Sequence, residues 1–96
     1  MADLAKSTQH IYNDILAERK RQIQKWTGVF DDDQWSAFDW HEMISDYNAW
    51  ARRMWSMDSL DKARSRLIQV AALAVAAIEA IERKQQPVTD IVEGER

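Results

Sequence analysis

The stretch Leu67–Ile81, LIQVAALAVAAIEAI, decides the fold. Gln69 and Glu79 are its only polar residues. A membrane-spanning helix needs about 20 apolar residues in a row, so these 15 read as a buried helix of a soluble domain. Leu60, Ala63, Leu67, Val70, Ala74, Ala77 and Ile81 form one seam at helical spacing. Ile68, Ala71, Val75 and Ile78 form a second. A helix that is apolar on nearly every side sits at the centre of something. Its alanines admit the close approach of a neighbouring backbone. Two other helices cannot easily surround it, so a homodimer or higher oligomer is expected, with this helix meeting a partner chain. Asp58 or Ser59 stands where a cap belongs, and Pro87 forbids continuation beyond about Gln86.

Working back along the chain, Trp40, Met43, Tyr47, Trp50, Met54 and Met57 step by alternating threes and fours. That heptad-type seam suits near-antiparallel packing against the following helix. Trp35, Phe38, Ile44, Ala51 and Trp55 widen it, and Arg52 and Arg53 lie between. Asp31, Asp32 and Asp33 precede this run, where acceptor side chains and negative charge favour a helix N-terminus. A further helix is expected from about Ala5 to Trp26, on the spacing of Ile11, Ile15, Ile23 and Trp26, with Tyr12 and Leu16 flanking. Ser7 or Thr8 could cap an inner start, and Gly28 marks its stop. The expected fold is all-α: a three-helix bundle with a long hairpin of the second and third helices, in a single domain over 1–86. The tail PVTDIVEGER, 87–96, reads as loose.

Composition agrees. Gly is 2 and Pro is 1, too few for the turns of hairpins and sandwiches. A chain of 96 residues buries only about 60–65% of its unfolded surface, another reason to self-associate. A net charge of −3 gives no electrostatic case for duplex nucleic acid or an anionic membrane. The absence of cysteine excludes disulfides and thiolate metal sites and fits a reducing compartment. MADLAKSTQH has no apolar core of signal-peptide type, so a cytoplasmic location in a host cell is expected.

Four features could carry chemistry. Arg19, Lys20, Arg21 and Lys25 form a basic patch able to hold phosphate, or equally a solvated helix face supported by Glu18 and Gln22 at i,i+4 spacing. Three successive aspartates can hold Mg²⁺, but neighbouring side chains diverge, and a cap explains them as well. His10 and His41 fall short of the four ligands of a structural zinc site. The five tryptophans, Trp26, Trp35, Trp40, Trp50 and Trp55, fit a core that compensates for small size, a protein interface, or stacking on a base.

The order ERKRQ (Glu18–Gln22), then Trp26-Thr27, then the aspartates, then a helix, then LIQVAALAVAAIEAIERK resembles small phage and prophage proteins of MazG-like type. The resemblance covers roughly Ile15 to Lys84. Those proteins are related to the all-α nucleoside triphosphate pyrophosphatases, in which E-x-x-E on one helix and E-x-x-D on the next bind Mg²⁺. The resemblance puts the first pair on Asp39 and Glu42, or on Glu42 and Asp46. It puts the second on Arg66 and Gln69, a cation and an amide, which implies that the metal site is incomplete and hydrolysis lost. Arg66 could instead pair with Asp39 or Glu42 across the bundle.

The leading expectation is therefore a non-enzymatic binding protein of phage or prophage type, acting on a host protein in a takeover or anti-defence role, without a cofactor. Its contact residues would be Trp35, Trp40, Trp50 and Trp55, with Arg19, Lys25, Arg52 and Arg53 around them. The first alternative is a Mg²⁺-dependent (d)NTP pyrophosphatase using Asp39, Glu42 and Asp46, with Lys25 or Arg66 on phosphate. The second is a nucleotide sponge without turnover, using the basic face and a stacking Tyr12 or Trp26.

Overall fold

The computed structural model describes residues 2–25 and 34–85, with side chains from Lys6 onward. It is all-helical: α1 Ala2–Lys25, α2 Ala37–Ser56 and α3 Leu60–Gln85, with no strand among the described residues. The α2–α3 hairpin carries most of the packing and α1 lies along α3, whereas α1 and α2 scarcely touch. The central helix is therefore α3, flanked on two sides. No described helix is long and apolar enough to cross a membrane. Trp26, Gly28, Asp31, Asp32, Asp33 and the 87–96 tail lie outside the described residues, so the readings placed on them are not addressed.

The core is small. Leu73, Ala76 and Ala80 of α3 bury against Trp40 of α2, with Trp35, Met43, Ile44, Tyr47 and Ala77 packed around them. The buried line of α3 thus runs through Leu73, a residue in neither seam expected from the sequence. Of the seam residues, Ala63 is buried, while Leu60, Leu67, Val75, Ile78 and Ile81 are exposed. The cause is geometric: where every face is apolar, the neighbours choose which is covered, and here α2 and α1 leave one uncovered.

The ends of the helices also differ from expectation. α1 starts at Ala2, so Ser7 and Thr8 lie inside it rather than capping it. Ser36 is the N-cap of α2: its hydroxyl accepts from the Asp39 N–H, while the Asp39 carboxylate accepts from the Ser36 backbone N–H at 2.9 Å. This reciprocal capping box satisfies two donors that would otherwise lack partners. The hairpin turn is a Schellman closure. Asp58 adopts φ 63, its N–H donates to the Trp55 carbonyl at 2.9 Å, and the Ser59 N–H reaches the Met54 carbonyl at 2.8 Å. The Ser59 carbonyl then accepts from Ala63, so α3 begins one residue after α2's closure ends.

The α1–α3 contact adds polar links to the apolar stripe read from the sequence, in which Ile15 and Ile23 are half-buried. Arg19, expected on the surface beside the tryptophans, is only 4% exposed and donates through Nε to Glu79 at 2.9 Å. Gln22 is buried beside it and donates to Glu18 at 3.4 Å, and Arg64 reaches Asp14 at 2.6 Å. Ile11, Tyr12 and Leu16 are exposed instead. The long guanidinium stems of Arg19 and Arg64 give α1 a hold on α3 that hydrophobic periodicity does not register.

Candidate functional site

Two surfaces gather the residues singled out in the sequence. The first lies along the outer side of α2. Trp35, Asp39, Glu42, Met43 and Asp46 line one open concavity of about 290 Å³. Trp35 leans on Trp40 with ring centres 4.5 Å apart. The resemblance marked three of these carboxylates as metal ligands, and the structure does bring them to one place. Asp39 is engaged in the capping box, with one carboxylate oxygen accepting from both the backbone and the hydroxyl of Ser36. Among the described residues no group of three or more His, Asp or Glu side chains could hold a metal ion.

At the positions where the second acidic pair would fall, Arg66 and Gln69 bind each other. The guanidinium donates to the Gln69 side-chain oxygen at 2.8 Å. Arg66 also lies over the ring of Trp50, its guanidinium carbon 3.5 Å from the ring centre. The expected bridge from Arg66 to Asp39 or Glu42 is thus replaced by a cation–π stack and an i,i+3 hydrogen bond. A delocalised, weakly hydrated guanidinium stacks well on an aromatic face. Where the resemblance would place a second acidic pair, the chain thus has a cation paired with an amide, which does not supply the carboxylates that bind Mg²⁺. His10 and His41 are exposed, on different helices.

The basic face of α1 is mostly committed. Arg19 is buried, and Arg21 chelates Glu18 with bonds of 2.9 and 2.6 Å. The Glu18 carboxylate, chiefly through those bonds, raises the Arg21 guanidinium above its ordinary pKa, against a smaller opposing effect of burial. Glu18 and Gln22 do support this face as their spacing suggested. Lys20 and Lys25 remain exposed.

The second surface is at the hairpin end. Trp55 is 61% exposed and stands between two concavities of about 390 Å³ each. On one side lie Leu60, Asp61, Ala63, Arg64 and Leu67; on the other Asn48, Ala51, Arg52 and Ser56. Leu67 lines both. Met57 is exposed beside them, as is Arg53 on the outer side of α2. Of the four tryptophans expected to make contacts, Trp40 is in the core and Trp35 leans on it. Trp50 is partly covered by Arg66, and Trp55 stands open. Leu60, Leu67 and Met57 were not among the expected site residues. The exposure of Leu60 and Leu67 follows from the choice of buried line on α3, which the sequence does not contain, and Met57 is exposed at the C-cap of α2. Comparison with known protein families, with curated proteins and with solved structures finds no match.

Proposed function

We propose that this chain is a non-enzymatic binding protein that works by protein–protein contact through the hairpin end, with Trp55 as its anchor. The observation that carries this reading is the exposed Trp55 ring between two concavities with arginines at their edges. Tryptophan and arginine are the residues most enriched at the energetic centres of interfaces. A large indole left in water is poorly used unless something covers it. The charge around it is mixed, Arg52 on one side and Asp61 with Arg64 on the other, and Arg64 already holds Asp14. That favours a partner with an apolar insert and a rim of both signs. Trp50 and Arg53 extend the same end of α2.

The resemblance to MazG-like phage proteins supports a setting in the cytoplasm of a host cell, with a takeover or anti-defence role. Replacement of the second acidic pair by the Arg66–Gln69 unit favours binding over hydrolysis. The test joins two assays. Wild-type chain and Trp55→Ala, shown by circular dichroism to be equally helical, are used to capture partners from host lysate, and both are incubated with Mg²⁺ and a panel of dNTPs. A defined partner held by wild type and lost from Trp55→Ala is the expected result. Pyrophosphate release abolished by Glu42→Ala overturns it, as does capture unaffected by loss of the indole.

A further inference from the structure

The face of α3 that neither α1 nor α2 covers has an order of its own. Residues Leu60, Arg64, Leu67, Ala71, Ala74, Ile78, Ile81 and Gln85 follow one another by alternating fours and threes. At about 100° per residue they form a single stripe along the helix. Its large apolar members are exposed, Ile78 and Ile81 each at 54%, and Ala71 and Ala74 are half-buried. This stripe is a heptad seam of the kind that packs helix on helix. Its four inner positions are symmetric in size, with Ala71 and Ala74 at the centre and Leu67 and Ile78 outside them, whereas the outer pairs, Arg64 with Ile81 and Leu60 with Gln85, are unlike.

From this order we propose that a second copy of the chain covers this face, with the two α3 helices antiparallel and crossing at Ala71 and Ala74. The inference is centred on the middle of α3, but Arg64 and Leu67 also line the concavities beside Trp55, so it shares those two residues with the partner-binding reading above; Ile78, away from that end, separates the two. An isologous two-fold interface requires one patch to be complementary to itself, and an antiparallel seam pairs positions that mirror each other about its centre. Ala71 of one copy then meets Ala74 of the other, and the small side chains let the backbones approach. Leu67 meets Ile78 on either side of the crossing. Further out, Arg64 of each copy comes beside Ile81 and Glu82 of the other. Glu82 is exposed, and Arg64 is half-exposed even while holding Asp14. Opposite charges thus meet at both rims. A parallel pairing in register would set Arg64 against Arg64 and Glu82 against Glu82, so charge selects the antiparallel arrangement. A foreign partner would need none of this internal symmetry.

The test is sedimentation of the full chain at micromolar concentration, followed by cross-linking. Wild type is expected to be a dimer. Ile78→Glu, at a side chain already more than half in solvent, is expected to be a monomer with unchanged helical circular dichroism. The chain has no cysteine, so Leu67→Cys and Ile78→Cys proteins can be mixed and oxidised without background. Antiparallel packing predicts that the mixed Leu67→Cys/Ile78→Cys disulfide forms in several-fold excess over either homodisulfide. A monomeric wild type, which would leave the face to a different protein, overturns the proposal. So does a dimer that survives both Ile78→Glu and Leu67→Glu, or cross-linking dominated by homodisulfides.

Discussion

The guanidinium of Arg66 lies flat enough on Trp50 to bring its carbon 3.5 Å from the ring centre, and its other arm holds Gln69 at 2.8 Å. The stack ties α3 to α2 while the hydrogen bond stays within α3, and the two together set a cation and an amide at the positions that the resemblance reserves for two carboxylates. It also explains how Trp50 can be 40% exposed without being simply wasted surface. The ring is a platform for the cation as much as a member of the α2 seam.

Removing the cation tests this arrangement. Arg66→Ala should cost about 0.5–1 kcal/mol, the range for a partly exposed cation–π contact. Thermal denaturation would then shift down by roughly 2–8 °C in a domain of this size. The change should also red-shift the part of the fluorescence that is absent from Trp50→Phe, since the ring becomes wetter. An Arg66→Ala protein with unaltered stability and emission would show that the stack contributes nothing.

Arg19 and Glu79 make a second link, between α1 and α3, and its energetics are asymmetric. The guanidinium side chain is 5% exposed whereas the carboxylate is 44% exposed. Taking away the acid leaves a buried cation with less compensation, whereas replacing the cation by an apolar side chain removes that problem. Glu79→Ala should therefore destabilise by about 1–3 kcal/mol, below the full cost for a buried pair because Glu79 is half in solvent. Arg19→Met should recover much of that loss in the Glu79→Ala background. Urea unfolding of the two single variants and the double variant measures the coupling; simple additivity would contradict the account.

The capping box at the start of α2 predicts a smaller effect. Ser36→Ala removes the acceptor for the Asp39 N–H and should cost about 1 kcal/mol. Asp39→Asn should cost less, because its side-chain oxygen can still accept from the Ser36 backbone. Urea midpoints of the two variants would rank them, and the reverse order would argue against the reciprocal pair. The same variants bear on the metal reading, since a carboxylate used as a cap is a poor candidate for a ligand.

Much of this fold is legible in the sequence, and the misreadings have physical causes. The all-helical class and the α2–α3 hairpin follow from the near absence of glycine and proline and from the long periodic runs. Capping by Ser36 and Asp39 carries a sequence signature, the acceptor followed three residues later by an acid, but the three aspartates just upstream carry the same acceptor chemistry and compete with it as a cap. The buried line of α3 was not legible, because a helix with apolar residues on every side holds no preference of its own. Leu73 is core and Leu67 is surface through where α1 and α2 lie. Nor was the burial of Arg19, which depends on Glu79 60 residues away. For the site, Asp39, Glu42 and Asp46 line one concavity at positions that the resemblance singles out, whereas the exposure of Trp55 required the fold.

The α2–α3 turn gives the sharpest backbone prediction. Asp58 holds φ 63, in the left-handed region that costs most L-residues roughly 1–2 kcal/mol and glycine nothing. Aspartate is among the less penalised residues there, yet it still lacks glycine's freedom. Asp58→Gly should preserve both closing hydrogen bonds and raise stability by a few tenths to about 1 kcal/mol, a balance between relieved strain and the larger entropy of an unfolded glycine. A β-branched residue has no comfortable left-handed conformation, so Asp58→Val should lower stability by about 1–2 kcal/mol. Ser59 separates this effect from capping of α3: Ser59→Ala leaves the backbone closure to Met54 intact and should be milder than Asp58→Val. Thermal melts of the three variants, with helicity checked at low temperature, give the order. If Asp58→Val proves as stable as wild type, the left-handed turn is not what joins the two helices in solution.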